Sequence, residues 1–233
     1  MGLAVRVIPT LLCKGERLVK GRQFGADRVV GHVQQAARIH QARGVDELIV
    51  LDVTATKEGR GPDFDAVRRL TDECFMPITV GGGVRGADDV RGLLNAGADK
   101  VAIKTMAQPM FIEQCAKHYG RQAIVVAVDY TFTIAATIKS MVMESAGTGE
   151  ILLTSVENEG TMQGYDLETI SLVSEKVQIP VIAHGGCRGP EDMLAAINAG
   201  ASAVAAGALF QFTDWTPRSC SQWLLEHGVE ARV

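Results

Sequence analysis

The sequence predicts a (β/α)₈ barrel, a closed ring of eight parallel strands with helices outside it. Three observations predict it. Short apolar runs alternate with longer helical stretches along 233 residues, a length that suits one such barrel. The second half of the chain repeats the first without a gap, at a constant offset. Glycine-rich turns follow equivalent strands in both copies, where this fold keeps its ligand site. One barrel domain over residues 1–233 is the expected organisation. An open doubly wound sheet is the alternative, and the duplication argues against it because symmetric halves close naturally.

The repeat pairs ELIVLDVTATKEGRGPDFD with EILLTSVENEGTMQGYDLE, Glu47 falling on Glu150, 103 residues later. It continues from FMPITVGGGVRGADDVRGLLNAGADKVAI into QIPVIAHGGCRGPEDMLAAINAGASAVAA. Identical pairs include Gly61/Gly164, Asp63/Asp166, Gly82/Gly185, Gly83/Gly186, Asp89/Asp192 and Gly97/Gly200. This period is too long for a solenoid and fits half a barrel.

In chain order, strands are expected near Arg6–Leu11, Leu48–Val53, Ile78–Val80, Val101–Ile103, Ile124–Val128, Ile151–Thr154, Val181–Ala183 and Ala203–Ala206. Their apolar runs are nearly continuous, as strands buried on both faces require. Helices are expected over His32–Arg43, Asp65–Cys74, Ala87–Ala96, Pro109–Tyr119, Leu167–Val177 and Pro190–Ala199. After the fifth strand, TFTIAATIKSMVMESAGTG must supply a helix with little left for a loop.

Composition excludes several classes. A hydrophobic share of 47% supports a sizeable core, and a net charge of −4 without a Lys/Arg run argues against a nucleic-acid partner. No run of 18 apolar residues suggests a membrane span, and MGLAVRVIPTLL is too short for a signal peptide's apolar region and cleavage site. Cys13, Cys74, Cys115, Cys187 and Cys220 are scattered, without a CxxC pair or zinc spacing, and read as reduced thiols of a cytoplasmic protein. GGGVRG lacks the context of a dinucleotide fingerprint, so no cofactor or metal is expected.

Two turns carry the binding chemistry. Gly82 and Gly83 follow the third strand, with Lys104 and Thr105 after the fourth beside them. Gly185 and Gly186 follow the seventh, with Gly207 and Ala208 after the eighth. Glycine permits positive φ and close backbone approach, and its N–H groups can cradle an anion. Such glycines can also serve only tight turns. Their duplication favours twin phosphate sites and a phosphorylated small molecule spanning the mouth. Asp129 ends the fifth strand and is placed for acid–base work, or for bonding a neighbouring loop. Asp52 ends the second strand likewise. Lys20 lies in a polar, glycine-flanked segment that can fold over an anion as a lid, or remain solvated. At the opposite strand ends, Arg6, Glu47, Lys100 and Glu150 alternate in sign and can form a salt-bridged ring, either a plug or a gate.

On these residues the chain resembles the cyclase subunits of imidazole glycerol phosphate synthase, over nearly its whole length. The matching strings are RVIPTLLCKGERLVKG, GVDELIVLDVTAT, MPITVGGGVR, NAGADKVAIKT, GEILLTSVENEGTMQGYD and IPVIAHGG. The resemblance implies a lyase of histidine biosynthesis that takes ammonia from a glutaminase partner through the barrel's bottom. At the top the ammonia reacts with a ribulosyl aminoimidazole carboxamide ribonucleotide, phosphorylated at both ends. It implies that Arg6, Glu47, Lys100 and Glu150 guard the ammonia entrance and that Asp99 contacts the glutaminase. It makes Asp129 the catalytic carboxylate and Lys20 a mobile-loop lysine. Gly82, Lys104 and Thr105 would hold one phosphate, where the family usually has Asn at 104. Glu159, Gly160, Gly186, Gly207 and Ala208 would hold the other, with Glu159 replacing Asp and Gly207-Ala208 replacing Ala-Ser.

Two further departures stand out. Leu12 occupies the place of the family's second catalytic Asp, and the loop after the fifth strand is shorter by roughly a dozen residues or more, a large change for a functional loop. Relatives with an IPxLL string resemble a branch linked to lipopolysaccharide and other surface-polysaccharide enzymes, where a similar pair is thought to convert an acetamido sugar to an amidino sugar. The competing expectations are a phosphoribosyl isomerase barrel and a non-catalytic scaffold that activates a glutaminase.

Overall fold

The computed structural model describes residues 4–25, 28–104 and 108–232. Thr105 lies outside the described residues. The chain opens with β1 (Arg6–Lys14), a hairpin of β2 (Arg17–Lys20) and β3 (Arg28–His32), and α1 (Val33–Ala42). It continues through β4 (Leu48–Asp52), α2 (Phe64–Thr71), β5 (Ile78–Gly81), α3 (Ala87–Asn95), β6 (Lys100–Lys104) and α4 (Pro109–Tyr119). The second half holds β7 (Ile124–Tyr130), α5 (Thr133–Ser145), β8 (Glu150–Ser155), α6 (Leu167–Lys176), β9 (Val181–His184) and α7 (Pro190–Asn198). It ends with β10 (Ala203–Ala206), α8 (Ala208–Phe212) and α9 (Pro217–Glu226).

Strands β1 and β4 to β10 pair in parallel, and β10 closes back on β1. On one side Arg6 of β1 pairs with Ala203; on the other, Thr10 pairs with Ile49. This stagger tilts the strands and lets the sheet close into a barrel. The hairpin β2–β3 joins the C-terminal end of β1 in antiparallel fashion, so it rises over the mouth.

The strands divide two cores between their faces. Ile8, Ile49, Val125, Leu152, Ile182 and Ala203 fill the barrel interior. Val7, Leu11, Val50, Val126 and Leu153 turn outward onto helix residues such as Leu93, Ile112, Val173, Met193 and Leu224. Alternation at a period of two therefore buries both faces.

The repeat persists at atomic scale. Asp63 and Asp166 each cap a helix, accepting from the N–H of Ala66 and Thr169 at 2.9 and 3.2 Å. Asp89 and Asp192 each accept from the backbone N–H of an arginine, Arg85 and Arg188. Gly82 and Gly185 have φ of 103° and 98°. A Cβ on Gly82 would stand 2.2 Å from the Asp52 carbonyl oxygen, and one on Gly185 would stand 2.8 Å from that of Ser155.

The eight expected strands and six expected helices are all present, and Thr133 begins a helix only two residues after β7. The hairpin β2–β3 and the helices α8 and α9 were outside that reading. RLVK and RVVGH are too short and too charged to read as strands alone; they gain their ladder from β1.

Gly82→Ala is expected to lower stability by about 1–3 kcal/mol or more, through left-handed strain and collision with the Asp52 carbonyl. Gly86→Ser, with open space around it and an N-cap position that favours serine, should leave the melting temperature unchanged or slightly raised. Paired thermal denaturation curves check both.

Candidate active site

At the N-terminal strand ends, four charges form a closed ring. Arg6 bonds Glu47 at 2.6 Å and Glu150 at 2.9 Å. Lys100 bonds the same two carboxylates at 3.0 and 2.9 Å. Thr79 donates a further hydrogen bond to Glu47 at 3.2 Å. Burial works against the Arg6 charge, yet Glu150 and Glu47 outweigh it and raise the guanidinium pKa. Asp99 is exposed at the same end, and its side chain accepts the N–H of Ile78 at 2.8 Å, tying down the start of β5.

At the C-terminal mouth, Asp129 projects from the penultimate position of β7. Burial pushes its carboxyl above the usual carboxylate range, opposed by Lys104 and more weakly by Lys139. Lys104 ends β6 and places Nζ 3.2 Å from Asp129 Oδ2. The lysine read as a phosphate ligand thus spends its charge on the carboxylate, because adjacent parallel strands bring both side chains to one rim. Asp52 takes the structural role. It accepts from the N–H groups of Thr54 and Ala55 at 2.9 and 3.1 Å and pairs with Arg60 at 2.8 Å. Burial alone would raise its pKa; these bonds hold it below the ordinary value.

Lys20 departs most from expectation. It is not a solvated loop lysine: it ends β2, is 4% exposed, and lies 3.9 Å from Glu159. The ladder with β1 and β3 draws it into the mouth. Glu159, expected beside a phosphate, is equally buried and faces this ammonium. Gly160 lies where a Cβ would stand 2.1 Å from the Gly21 carbonyl, so the hairpin backbone sits directly on it. Gly185, Gly186, Gly207 and Ala208 line one small pocket with Glu159 and His184.

Residues 21–25 form a strap across the mouth. Gln23 donates its backbone N–H to the Glu159 carbonyl and its side-chain amide to that of Glu157, both at 2.9 Å. The next residue, Phe24, has its ring 6.0 Å from Lys104 Nζ. One short segment therefore touches groups of both glycine sites, which share one mouth. Gln23 and Phe24 both take left-handed backbone, with φ of 53° and 57°. Such strain persists only where surrounding contacts hold it.

Residues 6–216 match the family model described as histidine biosynthesis protein. A Corynebacterium diphtheriae protein named imidazole glycerol phosphate synthase subunit HisF is 40% identical over 257 aligned positions, covering all of both chains. A Campylobacter jejuni protein provisionally named imidazole glycerol phosphate synthase subunit hisF2 is 38% identical over 247 positions, covering 99% of each. This chain belongs to the cyclase-subunit family of imidazole glycerol phosphate synthase.

The 257-position alignment has 24 positions more than this chain's 233 residues, in keeping with a shortened segment. Only two residues separate β7 from α5, so that side of the mouth has no long loop. Leu12, at the position where the resemblance led us to expect a second Asp, is 8% exposed and shares the inward parity of Ile8 on β1. His184 was overlooked. It ends β9 in the second pocket, with Nδ1 3.2 Å from Thr154 Oγ1. Burial, then the charge of Lys20, pulls its pKa down to about 3, so the ring is neutral at physiological pH. Its place immediately before Gly185 was the available signal. Among the described residues, no cluster of His, Cys, Asp or Glu is arranged to hold a metal, and no helix is long and apolar enough to cross a membrane.

Lys104→Met should raise the Asp129 pKa further, since it removes the nearer cation that opposes burial. Lys104→Arg should restore it. A carbon-13 carboxyl titration of the full chain measures both; an unmoved Asp129 would show that the ion pair does not tune it.

Proposed function

We propose that this chain is the ammonia-using cyclase subunit of a glutamine amidotransferase. Its acceptor carries phosphates at both ends and spans the mouth between the Gly82–Gly83 and Gly185–Gly186 turns. Asp129 moves protons at the reacting centre. Ammonia arrives from a glutaminase docked beneath the ring of Arg6, Glu47, Lys100 and Glu150, with Asp99 at the contact. The observation that carries this reading is the pairing of a fully ion-paired ring at one end of the barrel with a half-buried carboxylate, raised in pKa, at the other. A reaction fed from one end and performed at the other needs both. Neither a phosphoribosyl isomerase nor a passive scaffold accounts for the two together.

Asp129 is suited to the task by its surroundings. A carboxyl pushed up by burial sits nearer neutrality, where it can both accept and return a proton. The Lys104 ammonium beside it supplies a positive charge that steadies the ionised form. The nature of the ring follows from its charges: two acids and two bases neutralise each other, leaving a dipolar lid that a small neutral molecule can pass when one ion pair opens. The relatives' names, as subunits of imidazole glycerol phosphate synthase, support a ribulosyl aminoimidazole carboxamide ribonucleotide as the acceptor.

One observation favours a second acceptor. Leu12 presents an apolar side chain where a two-carboxylate mechanism needs a second acid–base group. Amidination of a sugar acetamido group would use the same ammonia supply without that group. Turnover of the two acceptor classes, each with ammonium and with glutamine plus the glutaminase, separates the readings.

Asp129→Asn should lower kcat/KM with ammonium by about 10²–10⁴-fold, the usual contribution of a positioned acid–base group. Unchanged turnover would mean that the barrel does no chemistry, and no ammonia-dependent turnover by the unaltered chain would overturn the proposal.

A further inference from the structure

Helix α5 is apolar on both of its sides. Ala136 and Met143 pack into the outer core. On the opposite side Ile134, Ile138, Met141 and Val142 recur at helical spacing and form one exposed stripe. Phe132, the N-cap residue, is exposed as well. These five are 41% to 76% exposed. Among the exposed residues of α5 only Ser145 is polar. The helix has two charges, and both are half-buried: Lys139 acts on Asp129, and Glu144 accepts the N–H of Gln178 at 2.6 Å. Neighbouring helices follow the ordinary rule. Helix α2 exposes Asp65, Arg68 and Arg69, and α4 exposes Glu113 and Lys117.

A helix that is apolar all round is normally covered. The connection from β7 has two residues, Thr131 and Phe132, too few to fold back over α5. At 13 residues α5 is too short to span a membrane. With no exposed lysine or arginine it also lacks the basic face of a helix that lies on one. The five side chains expose on the order of 500 Å² of apolar surface, toward the upper end of the largest patch on an ordinary monomer. That is more than half of the roughly 800 Å² each partner gives to a standard protein interface. Helices α4 and α6 flank α5 and supply a mixed-sign border, the Glu113–Lys117 pair on one side and Glu175 and Lys176 on the other. An apolar centre with a polar rim is the anatomy of a protein interface.

We propose that a second copy of this chain covers α5, in a twofold dimer built on Ile138. The stripe reads alike from either end: Ile134 lies four residues before Ile138 and Val142 four residues after it. A twofold axis at Ile138 lays the two helices antiparallel and sets Ile134 against Val142 of the second copy. The face exposes no charge, so the axis brings no like charges together. Recognition of a different protein through charge has nothing to act on there. The helices stand outside the barrel, so a dimer joined at α5 leaves the mouth and the lower ring open. The inference is therefore independent of the proposed function.

Sedimentation velocity of the full chain at increasing concentration tests this, with a species of twice 24.9 kDa expected. Ile138→Glu sets two carboxylates face to face and should raise the dimer Kd by about 100-fold or more. Ile134→Glu carries the test if that variant does not fold. Ile39→Glu, at a comparably exposed position on α1, should leave the dimer intact. Ile138→Cys adds an exposed thiol to a chain whose five cysteines are buried, and a short bismaleimide should join it to its own copy. A monomer at every concentration would overturn the proposal, as would a dimer that both α5 variants leave intact or that Ile39→Glu dissociates as readily. Failure of the link at 138 in a dimer would overturn the axis placed there. Protection of α5 from hydrogen exchange by the glutaminase, or by phosphatidylcholine vesicles, in a monomeric chain would give the face to that occupant and overturn the proposal.

Discussion

The mouth of this barrel depends on two places where backbone must lie against backbone. Gly82 packs on the carbonyl of Asp52, and Gly185 on that of Ser155, at separations a side chain would make impossible. Both take positive φ, so the chain leaves its strand sharply and turns the following segment inward. Asp89 and Asp192 then clamp the next helix by accepting the N–H of Arg85 and Arg188. Strand end, turn and helix start thus become one rigid unit, built twice. A ligand bound between the two units meets a site whose span is set by the barrel's own diameter.

Within that frame the two ends of the barrel handle charge differently. The lower ring balances two bases against two acids, so its charges are mutually compensated. The upper end divides its charges into separate pairs, Lys104 with Asp129 and Lys20 with Glu159. Between them lies an apolar layer of Ile8, Ile49, Leu152 and Ile182. A low-dielectric layer strengthens the interactions at each end, and because each end pairs its charges internally, little net field crosses the layer. Leu12 extends the apolar layer toward the rim on the β1 side, while Asp129 stands near the end of β7 beside Lys104.

The strap compensates for what the β7–α5 side lacks. With two residues joining that strand to its helix, cover comes from the opposite edge, where β2 carries the chain up and residues 21–25 cross from Glu159 to Lys104. The same rise brings Lys20 inside. A lysine that looks like a solvated loop residue becomes a buried one because β1 extends to Lys14 and offers its edge for pairing.

The sequence by itself determined the closed fold, the positions of its eight strands, the twin glycine turns and the membership of the lower ring. Those features are written locally or through the repeat: glycine where φ must be positive, continuous apolar runs where both faces are buried, and one charge at the start of each of four strands. Asp129 was legible as well, because a carboxylate ending an apolar strand has few places to go. Only the tertiary structure decided the partners. That Lys104 pairs with Asp129, that Asp52 anchors a turn through Thr54 and Arg60, and that Lys20 occupies the space above Gly207 all depend on strand register and closure. Pairing energies fall off within a few ångströms, so they are set by distances across the ring that no local pattern encodes.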